Sequence, residues 1–200
     1  SYDEHFNAIK DADDDDFIML SDNDEIPNLD SEDFKKNKND IVIFNQLFFY
    51  FKFNLLYDRM LWPGTKGCKK KNLKSFSWLR NIKFKKYPIW RIDTYFSNTK
   101  YSNLNIINDG GWHFTNLKSP EDMFEKFMNF GHHDEFKLSG ITVDKIRDKI
   151  SKREMFYDHF ADKSSKNKWD SDYKLKKIDT DLLPRYLVSN REKYLEWFDL

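Results

Sequence analysis

Asp16-Phe17-Ile18-Met19-Leu20-Ser21-Asp22-Asn23-Asp24-Glu25-Ile26-Pro27 is the stretch on which the reading of this chain turns. A short apolar run between polar residues is the pattern of a buried strand, and Phe17 to Leu20 fits it. Pro27 then blocks regular continuation. In an extended backbone, residues i and i+2 point to the same side. Asp22 and Asp24 are therefore expected to converge, and to repel each other unless a cation lies between them. A hard divalent ion, Mg²⁺ or Mn²⁺, suits such a pair and shares its shell with substrate phosphates. A solvated acidic turn after a strand is the plainer explanation of Asp-x-Asp taken alone. An EF-hand is excluded: it needs Gly at the sixth loop position and Glu at the twelfth. Counted from Asp22, those positions hold Pro27 and Asp33.

Outward from this stretch, 200 residues fit one domain with a proper core. Aromatic residues make up 18% of the chain, which argues against disorder. Lys plus Arg and Asp plus Glu both number 34, so net charge exerts no pull toward nucleic acid or a membrane. The charges are nevertheless segregated. From Asp11 to Asp33 every charged residue is acidic, and from Lys66 to Lys86 every one is basic. Cys68 is the only cysteine, which excludes an internal disulfide and fits a reducing compartment. No run approaches the roughly 20 apolar residues of a membrane helix. The chain opens on Ser with no signal peptide, so a processed product or fragment is expected.

Along the chain, a helix is expected over Asp3 to Ala12 and a short helix from Ser31 to Phe34. One or two strands follow over Ile41 to Phe53, and Trp62-Pro63-Gly64-Thr65 reads as a turn. The basic stretch Lys66 to Lys86 reads first as a solvated lysine-rich loop with packed aromatics, and second as a phosphate or anionic-surface contact. An aromatic platform for single-stranded nucleic acid ranks third. Leu104 to Ile107 forms a strand running into Asn108-Asp109-Gly110-Gly111-Trp112-His113-Phe114, where two glycines allow close backbone approach or positive φ. Ser119-Pro120-Glu121-Asp122 starts a helix with a buried face of Met123, Phe124, Phe127 and Met128 or Phe130, ending at Gly131. Thr142 caps a helix carrying Ile146 and Ile150, and Pro184 precedes a terminal helix. Residues from Ala161 to Trp169 read as a loop. Alternating strands and helices predict an α/β domain.

In order, Ser21-Asp22-Asn23-Asp24-Glu25-Ile26-Pro27, an aromatic strand with Tyr50 and Asn54, Trp62-Pro63-Gly64-Thr65, Asn108 to Phe114, and a helix ending at His132 resemble glycosyltransferase family 17. This is the family of the bisecting β-1,4-N-acetylglucosaminyltransferase. The likeness continues through Leu183-Pro184-Arg185-Tyr186-Leu187 and Asn190. It departs in lacking a segment before the first helix, so the chain resembles the C-terminal two-thirds of a member. The resemblance implies one GT-A-like α/β domain over 1–200, incomplete at its N-terminus. It also implies a metal-dependent, inverting transfer of N-acetylglucosamine from UDP-GlcNAc to a mannose-containing glycan acceptor. Asp22 and Asp24, joined by His113 and His132, would hold Mn²⁺ or Mg²⁺. Trp112 would stack on a sugar, and Arg80, Lys83 or Lys85 would touch the diphosphate. Glu121, Asp122, Asp134 and Glu135 are the candidate bases, with His132-His133-Asp134-Glu135 fitting the family's His-x-Glu in either register. A microbial or viral member would be cytoplasmic or peripheral to a membrane, and a eukaryotic one lacking its anchor would be in the Golgi. The alternative is a transferase-like domain that binds glycan or a partner without catalysis.

Overall fold

A computed structural model describes residues 7–129, 133–161, 168–169 and 171–200. The chain has mixed α/β content and divides into two compact units, 1–47 with 61–113, and 48–60 with 114–200.

The first unit is built on β3 (Ile41–Tyr50), whose last residues belong to the second unit. On one side β3 pairs antiparallel with β5 (Trp62–Lys69), which pairs antiparallel with β1 (Phe17–Leu20). On its other side it pairs parallel with β6 (Leu104–Ile107). Side chains alternate across a strand. Ile41 and Ile43 pack with Cys68, Leu79, Ile82 and Leu104. Val42 and Phe44 pack on the opposite face with Ile107, Phe17, Met19 and Phe34. Helix α1 (Glu32–Lys35) supplies Phe34, and α2 (Phe76–Asn81) supplies Leu79. Burial on both faces explains why the Ile41 to Phe44 run is continuously apolar. A second pairing joins β2 (Glu25–Pro27) antiparallel to β7 (Gly111–Thr115).

The sequence expectation of a turn at Trp62 to Thr65 does not hold, because these residues open β5. The lysine-rich loop is corrected likewise. Lys66 to Lys69 continue that strand, and Phe76 to Asn81 form a helix in which Ser75 Oγ accepts from the Trp78 N–H at 3.0 Å. Pro63 and Gly64 are poor strand formers. Tertiary pairing to Asn45 and Gln46 overrides that local preference.

The second unit holds the end of β3, short β4 (Leu55–Leu56) and β8 (Lys176–Lys177), then helices α3 (Pro120–Met128), α4 (His133–Ser139), α5 (Val143–Ser151) and α6 (Arg185–Ser189). Its core is aromatic: Phe136 and Trp169 lie edge to face at 5.2 Å, and Phe127 packs on both Phe136 and Phe156. Ser119 and Thr142 cap their helices as the sequence implies, accepting from the Asp122 and Lys145 N–H groups. The expected terminal helix is interrupted. After α6 the chain continues as a 3-10 turn, Arg191–Trp197, kinked at Tyr194. Part of the expected first helix, together with Phe130, Gly131 and most of the 161–169 loop, lies outside the described residues.

Candidate functional site in the first unit

The acidic block and the Gly-Gly-Trp-His block meet. Strand β2 aligns Glu25 with His113 and Ile26 with Trp112. This approach explains both glycines. A Cβ on Gly110 would stand 2.4 Å from the Asn45 nitrogen, and one on Gly111 would stand 2.2 Å from the Ile26 carbonyl oxygen. Gly111 also has φ +105°, a region L side chains rarely adopt.

The backbone between Asp22 and Glu25 is a turn and not an extended segment, with the Glu25 N–H donating to the Asp22 carbonyl at 3.1 Å. The same-side argument for the two aspartates therefore does not apply, and each carboxylate has its own neighbour. Asp22 accepts two hydrogen bonds from the Arg80 guanidinium, at 3.1 and 3.2 Å. Asp24 lies 3.6 Å from Nδ1 of the buried His113. The His113 ring stacks on Trp62, 4.5 Å between centroids and nearly parallel.

Glu25 completes the arrangement. Its carboxylate accepts from Trp62 Nε1 at 2.9 Å and from the Asp22 N–H at 3.2 Å. Burial pushes its pKa above the ordinary glutamate range, against those two hydrogen bonds and with help from the charges of Asp22 and Asp24. Lys66 is affected oppositely: burial lowers its pKa, although Glu25 favours its charged form. Its ammonium donates to the carbonyls of Arg80 and Ile82, fixing the end of α2 against β5. Together Leu20, Asp22, Glu25, Trp62, Lys66 and Arg80, with Pro63 and Gly64, line a cleft of about 180 Å³.

Of the residues singled out in the sequence, Asp22 and Arg80 line this cleft, and Asp24 and His113 stand beside it on the same strand pair and turn. Trp112 is aligned with Ile26, and the indole at the cleft is that of Trp62. Lys85 sits over the Tyr87 ring. His132 lies outside the described residues. Glu121, Asp122, Asp134 and Glu135 belong to the second unit. There Glu121 pairs with Arg147, Asp134 with His133 at 3.2 Å, and Glu135 with Lys168. Sequence reasoning missed Glu25, Trp62 and Lys66 as cleft residues. The Trp62 signal was hidden because Trp-Pro-Gly looks like a turn until its partner strand is known.

The cleft's donor set bears on a metal. Among the described residues, no three of His, Cys, Asp and Glu gather as a group able to hold an ion. Asp22 and Asp24 each face a partner of their own, so a shared Mg²⁺ or Mn²⁺ would require both carboxylates to turn and substrate phosphates and water to complete the shell. The described residues do not form a preformed protein cage for an ion. No protein-family profile, curated protein or solved structure matches the chain.

Proposed function

We propose that the first unit binds a nucleotide-sugar donor and that the chain is a GT-A-like glycosyltransferase, moving N-acetylglucosamine from UDP-GlcNAc to a mannose-containing acceptor. One observation carries this reading: a single small cleft gathers acids (Asp22, Glu25), bases (Lys66, Arg80) and the flat indole of Trp62. A diphosphate needs cations, a sugar or base ring favours a flat aromatic face, and displacement at a sugar by a hydroxyl needs a base, such as a carboxylate, to take its proton.

In this proposal Arg80 and Lys66 meet the diphosphate, and Asp22 and Asp24 would turn from Arg80 and His113 to hold a divalent ion that arrives with it. When bound, such an ion would neutralise charge building on the departing nucleoside diphosphate. Glu25 is assigned the proton from the acceptor hydroxyl, because desolvation strengthens it as a base. A second reading, donor or glycan binding without catalysis, draws support from the Asp22–Arg80 pair, which satisfies an acid with the chain's own cation.

Titration calorimetry with UDP-GlcNAc, with and without Mn²⁺, tests the proposal. Asp24→Asn is the cleaner variant, since Asp22→Asn would remove an ion ligand and free Arg80 at once. The expected outcome is Mn²⁺-dependent donor binding, weakened about tenfold or more in Asp24→Asn. Binding without any turnover to UDP would favour the second reading. A folded chain that binds no donor under either condition would sink the transferase proposal, and one that also fails to bind a mannose-containing glycan would sink both.

A further inference from the structure

Residues 83–101 form a closed loop in the first unit. The Lys83 N–H donates to the Thr99 carbonyl at 2.8 Å, the Tyr87 N–H donates to the Tyr101 carbonyl at 3.3 Å, and Lys86 and Tyr101 form an isolated parallel bridge. Inside this neck, Tyr95 Oη donates to the Ile89 carbonyl, and a short 3-10 turn runs over Ile92–Thr94. The loop is thus held in shape by its own bonds. It nevertheless turns its large apolar side chains to solvent: Ile89 is 69% exposed, Trp90 80%, Ile92 73%, Tyr95 72% and Phe96 86%. Such a cluster is costly to leave in water and marks a contact surface.

Charge identifies the partner. Lys83, Lys85, Lys86, Arg91 and Lys100 flank these side chains along the loop, and Asp93 is the only acid in the segment. Asp93 is already neutralised, accepting from Arg91 at 2.7 Å twice and from Lys100 at 2.9 Å. Lys85, Arg91 and Lys100 also gather around the Tyr87 ring, 5.3 to 5.9 Å from its centroid. Lysine is depleted in protein–protein interfaces. A basic rim around Trp, Tyr, Phe and Ile is instead the composition that seats in the headgroup region of an anionic bilayer.

We propose that the loop 83–101 is a peripheral membrane anchor, inserting Trp90 and Phe96 among the headgroups of anionic phospholipids while Lys83, Lys85 and Lys86 meet the phosphates. Among the described residues no helix is long and apolar enough to cross a membrane, so this contact is superficial. It is independent of the reaction assigned to the cleft.

Sedimentation of the full chain with phosphatidylcholine vesicles, with and without phosphatidylserine, tests the anchor. Retention is expected only with phosphatidylserine, and it should weaken as salt rises. Trp90→Ser and Phe96→Ser should each lower the partition coefficient about tenfold. Lys85→Gln and Lys86→Gln should each lower it about fivefold. All four positions are exposed, so unchanged melting temperatures will show that the fold survives. A blue shift of emission on vesicle addition, missing in Trp90→Phe, would place the indole in the interface. No retention on either vesicle, equal retention on both, or lipid-free self-association abolished by Trp90→Ser would overturn the proposal.

Discussion

Two sets of carboxylates in this protein are handled in opposite ways. In the first unit, Glu25 is largely withdrawn from water on a strand, its oxygens held by an indole N–H and a backbone N–H, and its pKa raised by burial. In the second unit, Glu121, Asp134 and Glu135 sit at the starts of α3 and α4, exposed or partly so; Glu121 is matched by Arg147, Glu135 by Lys168, and Asp134 by the His133 ring. An acid at a helix start facing a cation is what helix electrostatics favours without any reaction in view. A carboxylate kept half-buried beside two other acids costs stability, and such strain is concentrated at working sites. The difference separates carboxylates paired at helix starts from one held half-buried in a cleft, the one to which the proposed function gives the acceptor's proton.

The sharpest way to break this contrast is to remove what holds Glu25 in place. Gly111→Ala would drive a methyl group into the Ile26 carbonyl at a φ of +105°, opening the β2–β7 pair. We expect a loss of about 3–4 kcal/mol in denaturant unfolding. Gly140→Ala in the second unit meets only the strain of φ +66°, with nothing within 4 Å, and should cost about 1–2 kcal/mol. Similar losses at the two glycines would mean that the strand pairing is not tight.

Next in size is the chemistry. Glu25→Gln should lower donor turnover about 100-fold, while Glu121→Gln and Glu135→Gln change it less than about threefold. The reverse ranking would move the base to the second unit. The same variant reports on stability. Because the folded chain holds Glu25 protonated to higher pH than the unfolded chain does, this group's contribution to stability falls as pH rises from about 4.3 through its raised value. The stability of wild type minus that of Glu25→Gln should therefore decrease from pH 4 to pH 7. A flat difference would show that Glu25 titrates normally.

The smallest effect is expected in the second unit's ion pairs. Arg147→Ala removes the partner of both Glu121 and Asp144, all at the surface, and should cost less than about 1 kcal/mol. A larger loss would show that the α3–α5 contact depends on this pair.

Much of the local structure in both units was legible in the sequence. The strand Phe17 to Leu20, the strand at Leu104 to Ile107, the caps at Ser119 and Thr142 and the special role of Gly110 and Gly111 are all local patterns, and all are present. What failed did so where distant pairing outweighs local preference. Trp62-Pro63-Gly64-Thr65 carries turn residues, yet it lies along β3 as a strand. Asp22 and Asp24 have the spacing for a shared ligand, yet the hydrogen-bonded turn between them sends one to Arg80 and the other to His113.

The segregated charge is where sequence and fold divide their work. Residue order alone places an acidic block over Asp11 to Asp33 and a basic block over Lys66 to Lys86, in a chain whose acids and bases balance. Only the antiparallel pairing of β1 with β5 decided which charges meet. It brings Asp15 to Lys69 and Lys71, which hold its carboxyl down to about 2, and leaves Arg80 facing Asp22. The physical reason is one of range. Propensity, capping and glycine geometry act over a few neighbouring residues and can be read in order. A cleft is made by side chains tens of residues apart, and their meeting is set by the register of a sheet whose apolar faces must both be buried.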